Sequence, residues 1–201
     1  MLKMQFLLIM ILFSSCQSKI DLSNLTLKED VDDFIEERSD FFSDNTSPAT
    51  GLPILYTYKI DRFSFGSLNL IDNSENTNIG INKVGFFLYK PYNKDTNTVA
   101  GLIIDYNQLD NNLYEVLEKK YGTPTIVAEK PTNKVEGILH GISAYQWKAN
   151  DYQTVFLSKS YSTKNNKQAI STTVYILNND AQDITTEDRS AVDRLLKTFT
   201  P

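Results

Sequence analysis

One cysteine, Cys16, and one histidine, His140, are all that this 201-residue chain offers of the side chains most used in nucleophilic and metal chemistry. A lone cysteine can form no internal disulfide, so packing rather than cross-linking must hold the fold. Zinc sites take three or four clustered His, Cys or acidic ligands, and one His with one distant Cys does not supply them. A Ser, His and acid triad would have to use His140, in Gly137-Ile-Leu-His-Gly-Ile142. No Gly-x-Ser-x-Gly elbow accompanies it, so His140 reads as a strand residue. A phosphate-cradling glycine loop and a dinucleotide fingerprint are also missing. No cofactor and no metal is therefore expected.

Basic runs are absent too. Twenty Lys and Arg stand against 25 Asp and Glu, a net charge of −5, with no cluster able to neutralise a phosphate backbone. Nucleic acid is excluded as a partner on these grounds. Glycine and proline are modest at 8 and 6 residues, whereas Tyr and Phe number 11 each. This composition favours strands joined by polar turns, in a chain long enough for a sizeable core.

The longest apolar stretch is short. Phe6 to Phe13 is an unbroken run of eight, preceded by Lys3 and followed by Ser14, Ser15 and Cys16. About 20 residues are needed to span a bilayer, so the run reads as the hydrophobic region of a signal peptide. Leu12-Phe13-Ser14-Ser15-Cys16 resembles the lipobox of bacterial lipoproteins of the Gram-negative type, with Phe13 at the place three before the cysteine where Leu is usual. The resemblance covers the leader alone. It implies cleavage before Cys16, lipidation of that residue, and a domain held at the bacterial envelope, on the outer rather than the inner membrane. Residues 1–15 are then the signal peptide, 16–25 a lipidated tether, and 26–201 a single domain. Loss of the leader removes Lys3 alone, so the anchor is acyl chain rather than basic attraction to anionic lipid.

Periodicity gives the rest. Thr26 to Glu29 has capping-box spacing, and Leu27, Val31, Phe34, Ile35 and Phe42 suggest a helix stripe. Its opposite face would carry Asp33, Glu36 and Glu37 among seven acids, a patch able to steer a basic partner. From Pro53 the period changes to two, giving strands near 53–60, 62–71, 84–90 and 99–106. Between the second and third, Asp72, Ser74 and Asn76 have the spacing of a calcium loop. Thr77 stands where that loop needs Gly and Lys83 where it needs Glu, so the segment reads as a hairpin turn.

Leu102, Ile103 and Ile104 in succession place the fourth strand centrally. A second helix follows, with Leu109, Leu113, Val116, Leu117 and Tyr121 on one stripe, an Asp110 or Asn112 cap, and Gly122 and Pro124 as its stop. Four strands come next, near 125–130, 138–148, 153–161 and 169–177, the second carrying Trp147 as an expected core anchor. A third helix, capped at Thr185 or Thr186, presents Val192, Leu195, Leu196 and Phe199.

The expected class is α+β: an antiparallel sheet of about eight strands with three helices packed on one face, in the order α-ββββ-α-ββββ-α. That order suggests a tandem helix-plus-four-strand repeat. Function follows less directly. Paired carboxylates could still hydrolyse a glycoside, but Glu115, Glu118, Glu129 and Glu136 are not distinguished by anything in the sequence. The reading adopted is a non-enzymatic binding or interaction module, anchored by lipid, with an envelope protein as partner. A periplasmic inhibitor or immunity protein against a toxin or hydrolase is the alternative, and a small-ligand or glycan-binding lipoprotein a further one. Nothing in the sequence bears on oligomeric state.

Overall fold

The computed structural model describes residues 19–35, 37–71, 81–92, 97–107, 112–135, 138–164, 167–186 and 188–199. The apolar run at 102–104 lies in a strand, β7 (Val99–Tyr106), whose residues are all buried apart from Asp105. Its neighbours are β6 (Lys83–Leu88) and β11 (Lys167–Asn178), both antiparallel. Outward from β6 come β3 (Ile54–Thr57) and β2 (Phe42–Asp44). Outward from β11 come β10 (Gln153–Lys164), β9 (Ile138–Lys148) and β8 (Thr125–Val135). These form one eight-stranded sheet of order β2-β3-β6-β7-β11-β10-β9-β8, so the central position expected for 99–106 is found. The long edge strand β8 breaks register at Ile126/Ala128 and Lys130/Asn133 and contains Pro131, which unfits it for pairing with a further strand.

Side chains alternate between the faces of this sheet. On the first face Leu55, Val84, Phe86, Leu102, Ile104, Trp147, Val155, Leu157, Val174 and Ile176 share one core. Helix α1 (Asn112–Tyr121) covers its C-terminal half, burying Leu113 and Leu117. The helix ends as its sequence dictates. Gly122 takes φ +83° and its N–H reaches the Glu118 carbonyl at 2.8 Å, a conformation that costs glycine least. The Gly122 carbonyl then accepts the Trp147 indole N–H at 2.7 Å, locking the helix exit to the buried tryptophan. Leu109 and Asp110, and with them the helix start, lie outside the described residues.

The N-terminal half of the same face is covered differently from the expectation. No α-helix forms at 26–42. Short 3-10 turns at Val31–Asp33 and Arg38–Asp40 take its place, and β1 (Ile20–Asp21) and a further 3-10 turn at Leu22–Asn24 lie inside the stretch expected as tether. The physical reason is local competition for backbone groups. The Asp30 carboxylate takes the Asp32 N–H at 3.1 Å, while Lys28 and Val31 donate to the carbonyls of Val99 and Asn97 rather than up a helix. Most of the apolar stripe is nevertheless buried or partly so: Leu27 and Val31 lie in the core and Phe34 stacks on Phe86, with Phe41, which is not of the stripe, buried beside them. Phe42, assigned to that stripe by helical spacing, points to the other face and is 53% exposed.

Two further expectations change. The run at 62–71 is not one strand of the large sheet. It makes β4 (Phe63–Phe65) and β5 (Leu68–Asn69), which form a separate three-stranded sheet with β1, the β1–β4 pairing being parallel. The last helix, α2 (Ala191–Phe199), starts later than expected, because Ser190 and Asp193 form the reciprocal cap. Thr185 instead donates to Asp183 in the turn before it. The Asp72–Gly80 segment lies outside the described residues.

Helix α2 packs on the second face, where Leu195 meets a core of Ile54, Phe87, Ile103, Phe156 and Leu177. Among the described residues two α-helices on opposite faces therefore replace the three expected. The first half of the expected repeat has no leading α-helix. The tandem helix-plus-four-strand unit is thus not the architecture of the described residues.

A buried polar node fastens α2 to the sheet edge. Asp183, 2% exposed, accepts from the Thr185 N–H at 2.8 Å and from the Arg194 guanidinium at 2.8 Å. Arg194 also donates to the Pro48 carbonyl, and Gly51 (φ +71°) lies so close that an added Cβ would stand 2.0 Å from the Asp183 carboxylate. Burial alone would raise the Asp183 pKa. The bonds from Thr185 and Arg194 outweigh it and hold the carboxyl well below the usual range.

Two predictions follow from this packing. Leu117→Ala should cost about 2 to 5 kcal/mol in urea unfolding, and exposed Glu118→Ala less than about 0.5; equal effects would place the helix face wrongly. A carboxyl depressed by folding contributes stability that is complete above its unfolded pKa of about 3.9 and is lost as pH falls toward the folded value. Asp183→Asn should therefore flatten the loss of stability below about pH 4. An acid unfolding curve as steep as that of the parent would assign the acid sensitivity to other groups.

Candidate functional site

Helix α2 covers only part of the second face. Beyond it, the register sets Lys83 beside Asp105, Asp105 beside Thr173 and Thr173 beside Ser158, all on one row across four strands. Each is only partly buried. At the β3 end of the row Tyr58 is 38% exposed, and the rings of Phe42, Tyr56 and Tyr58 stand 5.6 to 5.7 Å apart. Aromatic rings left at a surface in a group, rather than singly, mark a place where something packs.

An open cleft of about 450 Å³ lies between these groups. Tyr58 and Ile81 form its apolar side; Lys83, Asp105, Asn107, Ser171 and Thr173 supply the polar side. The Lys83 ammonium stands 3.1 Å from one Asp105 carboxylate oxygen, and the Thr173 hydroxyl donates to the other at 2.6 Å. The same ammonium lies 5.7 Å from the centre of the Tyr56 ring, within cation–π range. Lys83 and Asp105 neutralise one another, so the cleft presents both a donor and an acceptor without net charge.

Asn107 closes the inner end. It is 3% exposed and its N–H donates to Asn82 Oδ1 at 2.8 Å, but its own side-chain oxygen has no donor among the described residues. Burial raises Tyr175 well above its ordinary pKa, with the Asp105 carboxylate adding to the effect, and burial followed by the Tyr58 hydroxyl raises Tyr56 as well.

The residues singled out from sequence are not gathered here. Cys16 and Glu36 lie outside the described residues. Asp33 is exposed on the turn at 31–33, and Glu37 lies 3.7 Å from Arg62 in a cluster with Asp40 and Lys59. Without a helix at 26–42 these acids do not share a helix face, and two of the basic groups around them are already paired. His140 lies on β9 opposite Asn133 and Ser162. Glu115 and Glu118 lie on the solvent side of α1, and Glu129 is exposed on edge strand β8; Glu136 is outside the described residues. Asp105 is the one acid among the described residues lining the cleft.

Sequence reading passed over Lys83, Asp105, Asn107 and Thr173. The signal was present at one position: a charged residue at 105, on the same side as Ile103, interrupts a strand otherwise apolar on both faces. Among the described residues no group of three or more His, Cys, Asp or Glu could hold a metal ion, and no helix is long and apolar enough to cross a membrane. Comparison with protein families, with curated proteins and with solved structures gives no match.

Proposed function

We propose that this protein is a lipid-anchored binding module of the bacterial envelope, tethered through Cys16 and engaging its partner with the uncovered half of the second sheet face. The observation that carries the reading is the contrast between the faces. The core of the first is covered by α1 and the N-terminal turns, with Ile126 exposed only at its β8 edge, whereas the second leaves Phe42 53% and Tyr58 38% exposed beside a preformed Lys83–Asp105 pair. Rigid strands hold these groups in place before anything binds, which lowers the ordering cost of association.

The face is open rather than enclosed and carries one acid in its cleft, so binding suits it better than carboxylate-pair hydrolysis, which needs two acids about 5 to 10 Å apart. An envelope protein partner and inhibition of a toxin or hydrolase both belong to this reading, because either would use an exposed rigid surface. The leader motif supports the anchor, and the acidic balance of the chain supports acyl attachment over electrostatic adsorption.

Two measurements test it. Cys16→Ala should shift the protein from the membrane fraction to the soluble fraction, or leave the leader uncleaved; normal maturation with membrane retention would refute the lipid anchor. A photo-crosslinking residue at position 58 should trap a discrete adduct in intact cells, and one at Asp33 or Glu37 should not. Capture from the acidic positions alone would move the binding surface to the N-terminal turns.

A further inference from the structure

We infer that the cleft between Tyr58 and Asn107 binds a neutral saccharide. This rests on the binding-module reading and names the ligand class for the face assigned there.

The first observation is the unsatisfied acceptor. Asn107 is 3% exposed, and its side-chain oxygen has no donor among the described residues although the residue lines an open cleft. A buried acceptor left unpaired is costly, and native proteins keep few of them. The oxygen is shielded within the cleft, so a ligand pairs it as the Asn107 side chain turns toward the cleft, and that pairing offsets the cost.

The second observation is the charge balance. Lys83 and Asp105 are 3.1 Å apart, and the Thr173 hydroxyl already holds the carboxylate from the other side. An anion would have to compete with Asp105 for Lys83, and a cation with Lys83 for Asp105. A neutral group that both donates and accepts needs neither exchange. A hydroxyl does this, and adjacent hydroxyls on one ring can meet the carboxylate and the ammonium together while leaving the ion pair intact. Hydrogen bonds to charged groups are the stronger kind.

The third is the shape of the apolar side. Tyr58 is 38% exposed and Ile81 64%, both lining the cleft beside the polar groups on the same sheet face, with the Tyr56 and Phe42 rings continuing the aromatic surface. A ligand with hydroxyls at its rim and C–H groups on its ring face matches both sides at once. An open-chain polyol offers the hydroxyls without the flat apolar face, and an extended peptide would seek the unpaired backbone of a sheet edge rather than the middle of a face.

The test uses the full chain in a sugar-free detergent, with the side-chain amide of Asn107 followed by 15N NMR and assigned by its loss in Asn107→Ala. Glucose, N-acetylglucosamine, maltose and cellobiose are the probes; sorbitol and inorganic phosphate are the controls. At least one saccharide should give a saturable shift of the Asn107 amide, weakened about tenfold or more by Tyr58→Ala and by Asp105→Asn. Tyr58 is a surface residue, so its variant keeps the fold and the test does not depend on the buried positions. Absence of a saturable shift with every saccharide overturns the inference. So does an equal response to sorbitol or phosphate, or saccharide binding that Tyr58→Ala leaves unchanged. A negative result with a cellular adduct still formed from position 58 would retain the binding module and reject the saccharide; loss of both would reject the module as well.

Discussion

Pairing of β7 with β11 is the contact through which every other element finds its place. These strands lie far apart in the chain, and their register, Ile104 against Val174 and Leu102 against Ile176, sets which residues face α1 and which face α2. Because side chains alternate, a slip of one residue would exchange the two faces along the whole sheet. Gly101 makes the register strict, since a Cβ there would stand 2.5 Å from the Ile176 carbonyl oxygen. The same pairing carries Asp105 to Thr173. The cleft is thus a by-product of the register that builds the core.

The faces are closed by different means. On the first, α1 and a chain of 3-10 turns lie over large aliphatic and aromatic side chains, and α1 is tied at its exit by the Trp147 indole. On the second, one short helix does the work, held at its start by the Ser190–Asp193 cap and along its side by Arg194 on Asp183. A helix of nine residues reaches across a few strands only. What it leaves uncovered must be polar or have a partner, and the row from Lys83 to Ser158 is polar while Phe42 and Tyr58 are not.

Much of this was legible in the sequence, and the failures have a common cause. The four C-terminal strands, the central strand and the stripe and stop of α1 could be read because local period and tertiary burial agree there. At 26–42 they do not. Leu27, Val31 and Phe34 have helical spacing and are buried or partly so, but the aspartates among them bond their own backbone, and the nearby Val99 carbonyl offers Lys28 a better acceptor than a helix would. Spacing reports which residues are buried, not how the backbone between them is satisfied. The run at 62–71 failed for another reason: alternation identifies strands but not their partners, and the partner of Phe63 is Ile20, in a stretch that reads as polar tether. The cleft was illegible for the same reason, because residues 83, 105 and 173 meet only once the pairing is known.

That early strand has a geometric consequence. Ile20 is bonded into the small sheet beside Phe63, so only three residues separate it from Cys16. At no more than about 3.6 Å per residue, a lipid on Cys16, as proposed above, would stand no more than on the order of 15 Å from that strand. A module so attached would not sweep a volume in search of its ligand; the molecules it would meet are those that lie against the same membrane.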